Sequence, residues 1–195
     1  MKLRTGLLML LALLVLAPAA RAAGSTTLGL QGGLGFPIGD FADVATLGFH
    51  VGGTGTFMVN QSFGVGGDVL WHSHGVNDDY EEALAVAAGT NVDVSLSTAQ
   101  VTAHGVLLLP AGPVVRPYLK VGLGIYSSSA KIESQSGTTD ESDTDVGFNI
   151  GGGVHYKGPG IGYGGELAYH YIATEGDASS MITIGALLTF GFGGL

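Results

Sequence analysis

The chain has 195 residues, 46% of them apolar, and no cysteine, which excludes a disulfide framework, a lipidated cysteine anchor and any thiolate metal site. Sixteen acidic residues face seven basic ones. Lys2, Arg4 and Arg21 lie in the first 22 residues, so the rest holds four basic side chains and a net charge of −12, with no basic footprint for nucleic acid. The 35 glycines make poor helix material, because glycine costs about 1 kcal/mol in a helix interior.

Residues 1–22 read as a signal peptide: Lys2 and Arg4 form the charged start, residues 7–16 the apolar core, and Ala20-Arg21-Ala22 a small-x-small cleavage site. Residues 23–195 then form one domain. No later run reaches the roughly 20 apolar residues of a spanning helix. The best candidate, residues 105–115, is broken by Pro110 and Pro113.

Period-two alternation predicts eight strands in succession. The first, residues 26–36, sets Leu28, Leu30, Leu34 and Phe36 against Thr27, Gly29, Gln31, Gly33 and Gly35. The second, 47–59, sets Leu47, Phe49, Val51 and Phe57 against His50, Gly52, Thr54 and Thr56, and Asn60-Gln61-Ser62 turns it into the third, 63–74. There Val65, Val69 and Trp71 oppose Asp68, His72 and His74, with Leu70 out of pattern. In the fourth, 94–109, Val94 and Leu96 fall out of phase with Ala99, Val101, Ala103 and Leu107, which predicts a β-bulge near Ser97. After Pro110-Ala111-Gly112-Pro113 comes the fifth, 114–128, with Leu119, Val121 and Leu123 on one face and Arg116, Tyr118 and Lys120 on the other. The sixth (145–156) and seventh (161–171) join through Lys157-Gly158-Pro159-Gly160, and the eighth runs over 181–192.

Apolar faces this regular also suit a soluble β-sandwich, but a sandwich fills its second face with Lys, Glu and Thr. Here that face is mostly glycine with scattered polar groups, as a narrow lumen requires. The expected fold is therefore all-β, an eight-stranded antiparallel up-and-down transmembrane β-barrel. With the short turns on the periplasmic side, parity yields two aromatic girdles: Phe36, Phe49, Trp71, Phe148, Tyr169 and Tyr171 outermost, and Phe57, Phe63, Tyr156, Tyr163, Phe190 and Phe192 innermost.

Fourteen of the 16 acids fall in the four long connections, making one rim negative; solvation of mobile loops is the plain explanation. The sharper one is cation binding by Asp140, Glu141, Asp143 and Asp145, although that run lacks EF-hand spacing. Bridging of lipopolysaccharide phosphates by calcium or magnesium needs only the diffuse charge. The two remaining acids, Asp68 and Glu166, share the lumen face with Arg116 and Lys120, which predicts a salt-bridge network of Asp68, Glu166 and Lys120, with Arg116 nearer the periplasmic end. Structural plugging is its first role, an ion gate the alternative.

All six histidines project inward, and His50, His72 and His74 are close enough by register to be candidate ligands for zinc or copper. Some small outer-membrane barrels resemble lipid A deacylases with Ser, His and an acid on the lipid-facing wall. Trp71-His72-Ser73-His74 invites that reading, but Ser73 faces out while every histidine faces in, so no catalytic residue is assigned and no enzyme or cofactor is expected.

Gly35-Phe36-Pro37-Ile38-Gly39-Asp40-Phe41, Arg116-Pro117-Tyr118-Leu119-Lys120-Val121-Gly122-Leu123-Gly124 and Phe148-Asn149-Ile150-Gly151-Gly152-Gly153 resemble recurring patterns of the small outer-membrane β-barrel domain family, which groups OmpA-like, OmpX-like and porin-family proteins. With the strand rhythm, the resemblance covers residues 24–195. It implies a bacterial outer-membrane location, contact with outer-membrane lipids and lipopolysaccharide, a monomer, and insertion by the barrel-assembly machinery. Members usually end on an aromatic residue; this chain ends Phe190-Gly191-Phe192-Gly193-Gly194-Leu195, so Phe190 and Phe192 are expected to serve, and no peptidoglycan-binding domain is expected after the last strand. The expected role is structural or surface interaction, the alternative a small-solute porin or an OmpW-like narrow channel.

Overall fold

A computed structural model describes residues 25–90, 92–112, 114–134, 137–158, 160–174 and 178–192. The expected signal peptide, Glu175 and Asp177 lie outside these. The strands are β1 (Thr26–Ile38), β2 (Ala45–Met58), β3 (Phe63–Val76), β4 (Val92–Leu108), β5 (Val115–Ser134), β6 (Gly137–Lys157), β7 (Ile161–Ala173) and β8 (Ser179–Phe192). Each pairs antiparallel with its sequence neighbour, and β1 pairs with β8 from Thr26↔Phe192 to Ile38↔Ser180, closing the barrel.

Alternation decides which face goes where. Leu30, Leu123 and Leu167 are 61%, 65% and 56% exposed on the outer wall, whereas Gln31, Gly122 and Ala168 on the neighbouring positions are buried. A water-facing wall would not be this apolar over its whole circumference. Rings cluster near both margins of that wall: Phe49 edge-on to Trp71 and Phe148 against Tyr169 and Tyr171 at one end, Tyr156 stacked on Tyr163 at the other.

The short turns are built locally. Asn60 Oδ1 accepts from the amides of Ser62 at 2.9 Å and Phe63 at 2.8 Å, which turns β2 into β3. At the other end, the stretch between β1 and β2 holds a single helical turn, α1 (Phe41–Val44), and the stretch between β3 and β4 holds an 11-residue helix, α2 (Asp78–Ala88). Asn77 caps α2 by accepting from Asp79 N at 3.1 Å, and Asp78, Asp79 and Glu81 meet the positive end of its dipole. Gly89, at φ 66°, closes it in the left-handed region.

Two expectations change. The bulge near Ser97 is absent: β4 pairs with β3 and β5 in unbroken register, and the shift lies instead in β2, between Ala45 and Gly48. Val94 and Leu96 are simply inward residues at the mouth, where Glu81 Oε1 accepts from Val94 N at 2.9 Å. The acidic connection between β5 and β6 is not a loop either. Both strands continue in register from Tyr126↔Asp145 to Ser134↔Gly137, and β4 follows as far as Val92↔Ser134. Eight residues at about 3.3 Å each make a three-stranded tongue that rises some 26 Å beyond Tyr126.

Candidate functional site

Inward residues of all eight strands fill the barrel in layers. In the middle layer, Lys120 of β5 reaches across the lumen: its Nζ lies 2.5 Å from Glu166 Oε1 of β7 and 3.5 Å from Asp68 Oδ2 of β3. Tyr118 donates its hydroxyl to Glu166 Oε2 at 2.8 Å. On the other side, His104 Nδ1 donates to Asp68 Oδ2 at 3.0 Å, and its Nε2 meets Thr56 Oγ1 at 3.1 Å. Two carboxylates, one ammonium and their hydrogen-bonding neighbours thus form a crossbar from β2 to β7.

Arg116 stands apart from it. Tyr118 and Lys120 share its inward face, and four residues along a strand span about 13 Å, beyond the reach of Asp68. The crossbar members that sequence reasoning missed are Tyr118 and His104. Parity had placed both inward, yet their heights depend on how strands are staggered around the barrel.

Above the crossbar come the histidines. His50 stands opposite His72 in the β2–β3 register with ring centroids 5.6 Å apart, His74 stacks on His72 at 6.4 Å, and His170 meets His72 edge-on at 5.6 Å. His72 Nε2 donates to Gln100 Oε1 at 3.0 Å. Among the described residues no three histidine or acidic side chains gather as metal ligands. The physical reason is visible in the stacked pair, where the rings lie 4° from parallel and their in-plane lone pairs do not meet.

A lid closes the far end. Tyr126, Ile172 and Met181 are buried together, and Phe41 of α1 packs on them while meeting His74 edge-on at 5.3 Å. Tyr126 donates to His170 Nδ1 at 3.3 Å and accepts from Asn149 Nδ2 at 3.3 Å, which ties the lid to the histidine layer. Glycine permits this crowding. A Cβ at Gly122 would stand 2.8 Å from Asn149 Oδ1, and one at Gly153 would stand 2.9 Å from Tyr118 Cζ.

The free space is divided unequally. Between the crossbar and the histidines, a cavity of about 10 Å³ is bounded by Asp68, Lys120, Gln100, Asn149 and His170, about the room of one water molecule. Below the crossbar, a vestibule of about 280 Å³ opens at the short-turn end. Among the described residues, the larger space lies at the short-turn end, and Phe41, Tyr126, Ile172 and Met181 pack together at the other.

The acidic run lies far from both spaces. Asp140, Glu141, Asp143 and Asp145 sit on the β6 arm of the tongue opposite Lys131, Ala130, Ser128 and Tyr126. Glu141, Asp143 and Asp145 share one face at about 7 Å spacing, and Asp140 is on the other. A calcium ion holds its oxygens at about 2.3–2.6 Å, so this straight strand does not gather a shell by itself. Ser73 faces outward opposite Phe49, away from His72 and His74.

A family model described as Outer membrane protein beta-barrel domain matches residues 8–190. Among solved structures, the chain is similar to neisserial surface protein A, with 15% identity, a TM-score of 0.58, and 88% of this chain and 100% of that one covered. It is similar to Ail of Yersinia pestis, with 18% identity, a TM-score of 0.55 and coverage of 87% and 100%. It is also similar to OprG of Pseudomonas aeruginosa, with 13% identity, a TM-score of 0.52 and coverage of 86% and 96%. At these identities the likeness is one of fold. No curated protein matches the chain.

Proposed function

The chain belongs to the outer membrane protein β-barrel domain family and resides in the bacterial outer membrane, and from that premise we propose that it is a closed, non-conducting barrel that acts through its outer surfaces. The short turns then face the periplasm and the tongue, α1 and α2 face the cell exterior. One observation carries the reading: among the described residues the Lys120 crossbar, the histidine layer and the Phe41 lid stand in series, and the space between crossbar and histidines is a cavity of about 10 Å³. An eight-stranded barrel is only wide enough for its own side chains, so a solute pathway would need several of these layers removed.

What remains for function is the exterior. The tongue exposes Glu133, Asp140, Glu141 and Asp143, and α2 adds Asp78, Asp79 and Glu82. Divalent cations held loosely by this rim are suited to bridge it to lipopolysaccharide phosphates, which needs charge density rather than a preformed cage. Hydroxyls do lie beside imidazoles in these layers, Thr56 Oγ1 3.1 Å from His104 Nε2 and Thr189 Oγ1 2.7 Å from His155 Nε2, but we read them as part of the hydrogen-bond packing of the lumen, so the proposed role is interaction rather than catalysis. Liposome swelling with a small sugar tests the closed lumen: vesicles carrying the folded protein are expected to behave like empty ones, and sugar-dependent swelling would overturn the reading.

A further inference from the structure

The vestibule concentrates nearly all the positive charge of an acidic protein. Of the four lysines and arginines beyond residue 22, Arg116, Lys120 and Lys157 line this one cavity, with His104 and His155 beside them. Glu166 is the one carboxylate among the residues on its wall, and it already accepts from Lys120 and Tyr118. Asp68 lies behind Lys120 and His104, outside the cavity lining.

Arg116 and Lys157 are different. Among the described residues, neither has a carboxylate within ion-pair reach or a hydrogen-bonding side chain. Arg116 is half-buried on the inward face of β5 opposite His155, whose Nε2 lies 2.7 Å from Thr189 Oγ1. An arginine turned into a half-buried cavity presents a planar fork of N–H donors to an anion, and it gains most where water is partly excluded. Lys157 at the rim and the hydroxyls of Thr27 and Thr189 add donors from other directions. A carboxylate would satisfy only the fork. A phosphoryl group, with more oxygens pointing apart, uses the whole set.

We propose that the periplasmic vestibule is a binding site for a phosphate-bearing molecule, with Arg116 as its anchor and Lys157 as the second cation. The volume admits a phosphate together with a short polar tail. Two sources share this chemistry. One is a soluble phosphate ester of the periplasm. The other is the headgroup of a phospholipid in the inner leaflet, because the stacked Tyr156 and Tyr163 mark the headgroup level and Val115, next to Arg116, pairs with Tyr156.

The test uses the folded protein in a zwitterionic detergent. Calorimetric titration with inorganic phosphate and glycerol 3-phosphate forms the soluble arm; native mass spectrometry of retained phosphatidylglycerol against phosphatidylcholine forms the lipid arm. Binding in the soluble arm assigns a soluble ester, and selective retention of phosphatidylglycerol alone assigns the headgroup. In either arm, Arg116→Gln is expected to weaken binding on the order of tenfold to a hundredfold, the range of a lost charge-assisted pair. Gly191→Trp is the independent variant: a Cβ at Gly191 meets nothing within 4 Å, so the ring fills the vestibule with every cation retained, and binding is expected to vanish. A heat-dependent gel shift verifies that both variants fold. No binding in either arm, or equal binding by the wild type and both variants, would overturn the proposal.

Discussion

Replacing Lys120 by methionine removes the cation from the crossbar and leaves its two carboxylates in place. The Lys120 side chain is 6% exposed, that of Asp68 1% and that of Glu166 14%, and the contacts measure 3.5 Å to Asp68 and 2.5 Å to Glu166. At an effective dielectric of about 20, a pair of charges 3.5 Å apart attracts by about 5 kcal/mol. Desolvation of the ions cancels much of that while the set is whole, so its worth shows when one member is lost. Removing one partner of a buried pair typically costs about 3–5 kcal/mol. Asp68 keeps His104 and Glu166 keeps Tyr118 and some solvent, which places Lys120→Met near 3 kcal/mol. Trp71, the single tryptophan, lies on the outer wall at 43% exposure, so its fluorescence during urea titration in lipid vesicles reports loss of the barrel from the bilayer. The triple variant Lys120→Met, Asp68→Asn, Glu166→Gln removes the stranded charges and is expected to recover more than half of the loss. A single variant within about 1 kcal/mol of the wild type, or a triple variant no better than the single one, would refute the crossbar as an interdependent unit.

Tyr118→Phe deletes only the donor to Glu166 and is expected to cost about 1.5–3 kcal/mol in the same urea titration, the range for a hydrogen bond to a charged group. Gly153→Ala drives a methyl first into the Gly165 carbonyl oxygen and then against the Tyr118 side chain, and is expected to lower stability by about 1–3 kcal/mol, whereas Gly191→Ala, with open space at its Cβ, is expected to leave the midpoint unchanged; equal effects would contradict the packing described for the lumen. Protein purified from outer membranes is expected to begin at Ala23 on N-terminal sequencing, and a chain still starting at Met1 would remove the signal-peptide reading.

The barrel was legible because both of its faces carry chemistry: lipid selects Leu30, Val69 and Leu123, the narrow lumen selects Gly122, Gln100 and His72, and a period of two follows. Above the membrane neither constraint acts. The serines at 127–129 and the Thr, Ser and Asp run at 138–145 alternate nothing apolar, so strands that are fully paired there read as loop. Helix α2 was hidden for a related reason, since its acids read as solvated charge, although Asn77 followed by Asp78, Asp79 and Glu81 is a helix start and residues 83–88 are good helix formers. In the lumen, parity found Asp68, Lys120 and Glu166 but not the substitution of Tyr118 for Arg116. Parity gives the face of a residue. Its height relative to a distant strand comes from the barrel's stagger, which no local pattern encodes. The same limit applied to His50, His72 and His74, whose shared face was readable and whose ring orientations were not.

Ionic current through the folded wild-type protein in a planar lipid bilayer tests the central claim most directly. With the Lys120 crossbar, the histidine layer and the Phe41 lid in series, the account predicts successful insertion with no steady conducting level above the bare membrane. A stable, ohmic open state from the same preparation would contradict it.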